Sequence, residues 1–364
     1  MKHYKFSRKL DQEFSKELRK RVNNYFRENR IKRSGNAVMK IKVATALLLY
    51  FGPFIALLSL NIHSVAFAWL LWIVMGFGKA FMGTSVMHDA LHGTLSGKKP
   101  VNQILGFSSV LLGADARMWK IQHNVLHHTY TNIENADEDM QVKYILRFSP
   151  NQPKYWFHKY QHLYAGIFYS ISTLFWATAK DFIKLENYRK KGIVKTKSEY
   201  RNKLLRISLG KLLYFGVFLA LPLIFLPFPA WITILMFISM HVVAGFSLSL
   251  IFQLAHIVPT SSFVKAEGNE IEENWSVHQL LTTSNFAPKS KLVRWFSGGL
   301  NFQIEHHLFP NICHIHYPKI SKIVRETAQE FGTPYYIEKT FYSAIRSHFR
   351  MLKDLGRQEK LISA

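Results

Sequence analysis

Two long stretches without a single charged side chain constrain this chain more than any other feature. Residues 43 to 78 contain no Asp, Glu, Lys or Arg, and neither do residues 212 to 264. Each is broken once, at Asn61-Ile-His-Ser64 and at Leu226-Pro-Phe-Pro-Ala230, which leaves four apolar runs near the ~20 residues that a helix needs to cross a bilayer. In hydrocarbon every backbone amide must bond within its own segment, so the runs predict helices joined as two hairpins by very short turns. The expected spans are 42–61, 64–84, 208–227 and 230–256.

Both hairpin turns lack Lys and Arg, whereas the segments before, between and after the hairpins are rich in them, including Arg189-Lys-Lys191. By the positive-inside rule the polar mass lies on the cytoplasmic face. The balance of 47 Lys+Arg against 23 Asp+Glu, net +24, therefore reads as topology beside anionic headgroups. No basic-aromatic module of a nucleic-acid binder accompanies it, so no nucleic-acid partner is expected. One cysteine, Cys313, rules out an internal disulfide and a thiolate zinc site. The charged N-terminus lacks the apolar core of a signal peptide, so no cleavage is expected and the first span does the targeting.

Outside the hairpins, Phe6, Leu10, Phe14, Leu18, Val22 and Phe26 recur every four residues among basic side chains, an amphipathic helix that lies on headgroups or packs on the rest of the chain. A second basic helix is expected around Phe341 to Leu355. The chain thus divides into an N-terminal helix within 1–40, a membrane domain over 41–335 and a C-terminal helix within 336–364.

Eight of the 17 histidines fall in positions that matter together. His88-Asp-Ala-Leu-His92 follows the second span, with two imidazoles on one helical face, and Asp89 stands where a zinc protease would carry its catalytic Glu. In His123-Asn-Val-Leu-His127-His128, His123 and His127 share a face and His128 is turned by about 100° towards a neighbouring metal. Gln303-Ile-Glu-His306-His307 carries two adjacent imidazoles that splay towards two metals, and His256 ends the fourth span. Such a set suits two transition metals, and imidazole alone does not choose among iron, copper, nickel and zinc. The apolar run His162 to Ala179 would, as a fifth span, put these clusters on opposite sides of the membrane. It is therefore expected to be interfacial or re-entrant.

At these residues the chain resembles the membrane fatty acid desaturases, whose three boxes read HxxxH, HxxxHH and HxxHH or QxxHH. Here they are HDALH (88–92), HNVLHH (123–128) and QIEHH (303–307), and the Gln303 variant resembles the front-end, delta-5 and delta-6 acyl desaturases. HNVLHHTYTNIENADED from His123 and GGLNFQIEHHLFP from Gly298 resemble family segments as whole stretches, as do Trp156 to Tyr164 and Trp275 to Phe286.

The resemblance implies an all-α integral-membrane fold, four spans in two hairpins with a cytoplasmic helical cap. It implies two irons bound by His88, His92, His123, His127, His128, His256, His306 and His307, with O2 as co-substrate. Gln303 stands where other desaturases carry a histidine. Asp89, Asn132, Asp137, Asp139 and Glu305 are the candidates for holding the imidazoles in place. Eukaryotic front-end relatives often carry a fused cytochrome b5; no His-Pro-Gly-Gly haem motif occurs here, so no bound haem is expected and electrons come from a separate ferredoxin or cytochrome b5. The substrate is a fatty-acyl-CoA or acyl-lipid at the bilayer, and the expected location is a bacterial inner membrane with the site on the cytoplasmic face.

Removing two hydrogens from unactivated methylenes requires a metal-bound oxidant, since no side-chain acid or base can do it near neutral pH. Trp119, Tyr130, Trp275 and Trp295 are expected at the tunnel or the membrane interface. His158, His162, His278, His314 and His316 are left out of the metal set, His241 is expected as a hydrogen-bonded core residue, and Cys313 as a small buried one. Two rivals stand beside a desaturase. A hydroxylase on the same scaffold would yield an alcohol, and a non-catalytic metal-binding or transport protein would place its ligands inside the spans.

Overall fold

The structure, a computed structural model, describes residues 4–7, 11–140, 144–264 and 270–358. Four helices are long and apolar enough to cross a membrane: Ala37–Ser59, Val65–His92, Lys197–Phe225 and Ala230–His256. The expected four spans are present, but the second and third helices overrun them. A helix has no reason to stop where hydrocarbon stops, so the second span carries its winding up to His92, and the first histidine pair sits on the span's own last turns. The third begins among Lys197, Arg201 and Lys203, whose long side chains favour helix in water.

Side chains sort by face. Leu48, Leu70, Leu212 and Ile224 are exposed on the outer faces, as lipid contact requires, while Tyr50, Trp72, Tyr214, Phe218 and Phe237 are buried between the spans. The first two spans pack closely because Gly78 has no side chain; a Cβ there would lie 2.5 Å from the Leu49 carbonyl.

The apolar run after His162 forms the helix Gln161–Phe175, which is not one of the four candidate spans. It packs on the fourth span, where Ser172 Oγ donates to the Gly245 carbonyl at 3.3 Å and Thr173 Oγ1 to that of His241 at 2.9 Å. The N-terminal repeat forms the helix Gln12–Glu28 from Phe14 onward, while Phe6, expected in it, lies in a strand paired with Ile271. The helix packs on protein, with Phe14, Leu18, Val22 and Phe26 buried in one cluster with Ile320, Val324 and Ala328. Arg21 clamps Glu330 across that contact at 2.8 and 2.6 Å. Leu10 of the same repeat lies outside the described residues.

The C-terminal helix Phe341–Arg357 starts in a Thr340–Ser343 capping box and buries Met351, Leu352 and Leu355 beside Phe148, Tyr169 and Ile257. Strand is confined, among the described residues, to two short parallel pairs, Lys5–Phe6 with Glu270–Ile271 and Asn285–Phe286 with Ile337–Glu338.

Candidate metal centre

The three histidine clusters and His256 meet at the end of the second and fourth spans. His88, His92, His123 and His306 each bring a ring nitrogen to within 4.8 Å of the others, and His127, His256 and His307 form a second such group. The His128 ring lies between the two, its centroid 4.5 Å from that of His306 and 4.6 Å from that of His307.

Two of the segments that carry these rings are irregularly wound. Residues Lys120–His127 form a π-helix, and Met82–Met87, just before His88, form another. The wider i→i+5 turn rotates side chains away from their α-helical bearings. His123 and His127 share a face as expected, their rings stacked with centroids 5.3 Å apart and both close to Asp139; His123 also joins the first group and His127 the second, and His128 falls between them. His306 and His307 do diverge as adjacent helical residues should, one to each group.

The donor set fits metal. The Nε2 atoms of His88 and His306 face each other at 3.2 Å, and those of His123 and His128 at 3.3 Å. Nε2 of His92, His127 and His307 has no hydrogen-bond partner. A buried acceptor without a donor costs about 1–3 kcal/mol, so several converging on one place mark a site built for a cation.

The outward-facing ring nitrogens are held. His88 Nδ1 donates to Asp89 at 3.2 Å, His123 Nδ1 to Asp139 at 3.3 Å, and His127 Nδ1 to both Asp137 oxygens at 3.0 Å. Nδ1 of His307 lies 2.9 Å from Gln279 Oε1, and that of His306 lies 3.2 Å from the Tyr317 hydroxyl. With the proton fixed on Nδ1, each Nε2 presents a lone pair inward.

Electrostatics agrees. Burial pushes His123 down to about 3 and holds His128, His306 and His307 well below the usual imidazole value, so all four are neutral near pH 7. His127 is the exception: burial lowers it, but the Asp137 carboxylate outweighs burial and raises it. For Asp139, burial raises the carboxyl, while the His123 hydrogen bond and the His127 charge prevail and hold it well below the carboxylate range.

Of the expected supporting residues, Asp89, Asp137 and Asp139 contact imidazoles directly. Asn132 acts through Asp137: its backbone N–H donates to Asp137 Oδ2 at 2.9 Å, and its side-chain amide reaches the His256 carbonyl at 3.2 Å. It adopts φ 55°, a left-handed conformation that Asn tolerates.

Glu305 departs from expectation. Its carboxylate turns away from the imidazoles and accepts from Asn285 at 2.8 Å and Tyr335 at 2.7 Å, and burial pushes it up to about 7. On the six-residue helix Gln303–Leu308, His306 and His307 take the two bearings that face the centre, and Glu305 takes a third, towards Asn285 and Tyr335. Gln303 is fully buried, and neither atom of its amide has a partner.

His158, His278 and His316 each place Nε2 against a backbone carbonyl, of Tyr144, Thr131 and Ser34, and neither they nor His162 join a metal-capable group. His314 does matter. Its Nδ1 donates to Asp89 Oδ2 at 2.8 Å, where the buried Cys313 Sγ also lies at 3.1 Å, and its Nε2 accepts from Lys42 at 2.9 Å. Gln279, Tyr317 and this role of His314 escaped sequence reasoning, because nothing in their spacing marks them.

A cavity of about 250 Å³ opens against His88, His123 and Gln303, walled by Trp119, Leu248 and Phe252.

Comparison with known proteins adds a second line of evidence. The fatty acid desaturase family model matches residues 63–339. An acyl-lipid (8-3)-desaturase of Physcomitrium patens is 35% identical over 352 residues, covering 96% of this chain and 73% of that protein. An sn-1 linoleoyl-lipid 6-desaturase of Arthrospira platensis is 33% identical over 362 residues, 94% of this chain and 92% of its own length. Delta(5) fatty acid desaturase A of Dictyostelium discoideum is 32% identical, with 97% and 77% covered.

Proposed function

This chain belongs to the fatty acid desaturase family, and from that premise we propose that it uses two irons and O2 to insert a cis double bond near the carboxyl end of a membrane-associated acyl chain. It is an integral-membrane oxidoreductase. One observation carries the reading: buried imidazoles from separate segments converge in two groups, with lone pairs turned inward and protons held outside. Relatives named as 6-desaturase and Delta(5) desaturase support the front-end regiochemistry.

His88, His92, His123 and His306 would hold one iron and His127, His256 and His307 the other, with His128 between them and Gln303 facing the first. When bound, the irons supply the oxidising power that hydrogen removal from unactivated methylenes requires. The protein does the rest. Asp89, Asp137, Asp139, Gln279 and Tyr317 keep the imidazoles in the ligating tautomer. Trp119, Leu248 and Phe252 give the cavity beside the first group an apolar wall that excludes water and keeps the chain in one pose, so that position is set by distance from the headgroup. The site faces the cytoplasm of a bacterial inner membrane, where the excess of Lys and Arg draws an acidic ferredoxin or cytochrome b5 as electron donor. The headgroup is that of an acyl-lipid or acyl-CoA.

Expression in a host with defined fatty acids, followed by lipid profiling, tests this. A new unsaturated acyl species that appears with the intact chain and not with a His127→Ala, His128→Ala variant is the expected result. A hydroxylated acyl species in its place, or folded protein without iron, would sink the reading.

A further inference from the structure

The cavity beside the first histidine group continues past the histidines. It follows one face of the second span, by Met87, Thr84 and Gly83, and reaches Lys79. From His88 down to Lys79, at ~1.5 Å per residue, it descends roughly 13 Å into the bilayer. At that depth the wall changes character.

Lys79 is buried, and among the described residues no carboxylate pairs with it. Its Nζ donates to the Tyr214 hydroxyl at 2.6 Å and sits 4.4 Å from the Tyr214 ring centre. Tyr214 in turn donates to His241 Nε2 at 2.8 Å, His241 Nδ1 donates to Thr173 Oγ1 at 3.0 Å, and Thr173 donates to the His241 carbonyl at 2.9 Å. The chain runs in one direction through four packed helices and is satisfied at every step after the lysine. An amine keeps at least two N–H donors, and Tyr214 takes one. The others belong to a residue that lines the cavity.

We propose that Lys79 is the floor of the acyl tunnel, the residue that stops the methyl end of the substrate and so limits how many carbons lie beyond the reacting pair. This rests on the reading that the cavity receives the acyl chain. A headgroup must stay at the interface, so the methyl end is what descends along the second span. Methylenes advanced onto Nζ would strip the amine of polar surroundings and give nothing back. The hydrogen bond to Tyr214 keeps the side chain from swinging aside, as a free lysine stem would.

The test is a length series of acyl chains, each two methylenes longer than the last, given to purified iron-loaded protein with its reductant. A parallel readout is displacement of a fluorescent fatty acid, which needs no turnover. Lys79→Met, apolar and of similar length, should shrink the preference for the best chain over the next longer one by about tenfold, the scale of a methylene or two in an apolar pocket. Lys79→Arg, longer and still polar, should move the optimum to shorter chains in both assays, and it carries the test alone if the Met variant does not fold. Folded variants that keep the wild-type length profile in both assays would overturn the floor. Wild-type protein that neither binds nor desaturates any chain of the series would instead overturn the acyl-tunnel reading beneath it.

Discussion

The polar cluster around His241 and the histidine centre meet the same cavity, yet they are built on opposite plans. Around His241 each ring nitrogen has one partner and the proton positions follow from the chain of donors. Around the centre His88, His123, His127, His306 and His307 bond through Nδ1, while Nε2 of His92, His127 and His307 and both nitrogens of His256 are left bare. Both are buried, and both are imidazoles among helices. The contrast teaches that burial does not mark a ligand, whereas an unpaired lone pair aimed at other lone pairs does.

The comparison can be broken most decisively at its centre. Replacing His127 and His128 by Ala should abolish iron retention, measured by metal analysis, and take the desaturated product below detection. Retained iron would mean that the second group is not a metal site. Next comes the support behind it: Asp137→Asn should weaken iron binding by about 10- to 100-fold, while Glu305→Gln, whose carboxylate touches no imidazole, should leave it unchanged in the same titration.

On the other side of the contrast, His241→Phe leaves Tyr214 and Thr173 short of partners. It should cost about 1–3 kcal/mol of stability in detergent unfolding, with iron content intact. Loss of iron there would erase the distinction between the two plans.

The smallest effect concerns a third buried histidine. His348 bonds Tyr169 and the Ile257 carbonyl, and burial pushes it down to about 4. Its folded value lies below the unfolded one of about 6.5, so its contribution is complete above that pH and is lost as pH falls towards 4. Between pH 6.5 and 5.5 the loss should be about 1 kcal/mol. A His348→Gln variant should flatten that part of the stability profile.

Much of this molecule is legible in its residues. Two uncharged tracts of fixed length leave a backbone in hydrocarbon no option but helix, which is why four spans in two hairpins could be read before any fold was known. The three boxes and His256 are visible because a ligand set needs one residue type repeated at short spacing. The aspartates beside the boxes are visible by proximity alone, and Glu305 shows the limit of that rule, since its carboxylate bonds Asn285 and Tyr335 and touches no imidazole.

Tertiary structure decided the remainder. Which histidines share a group depended on how four separate segments pack, bringing His88, His92, His123 and His306 together in one place and His127, His256 and His307 in another. Gln279 and Tyr317 reach His307 and His306, and His314 reaches Asp89, from outside the boxes, so only the folded chain could pair them. Lys79 is buried against Tyr214 on another helix, a contact set by packing alone. Composition and local pattern determine what a segment must become, because hydrocarbon and backbone hydrogen bonding act on every residue alike. Which side chains then meet is decided by packing between segments, through contacts that no local pattern encodes.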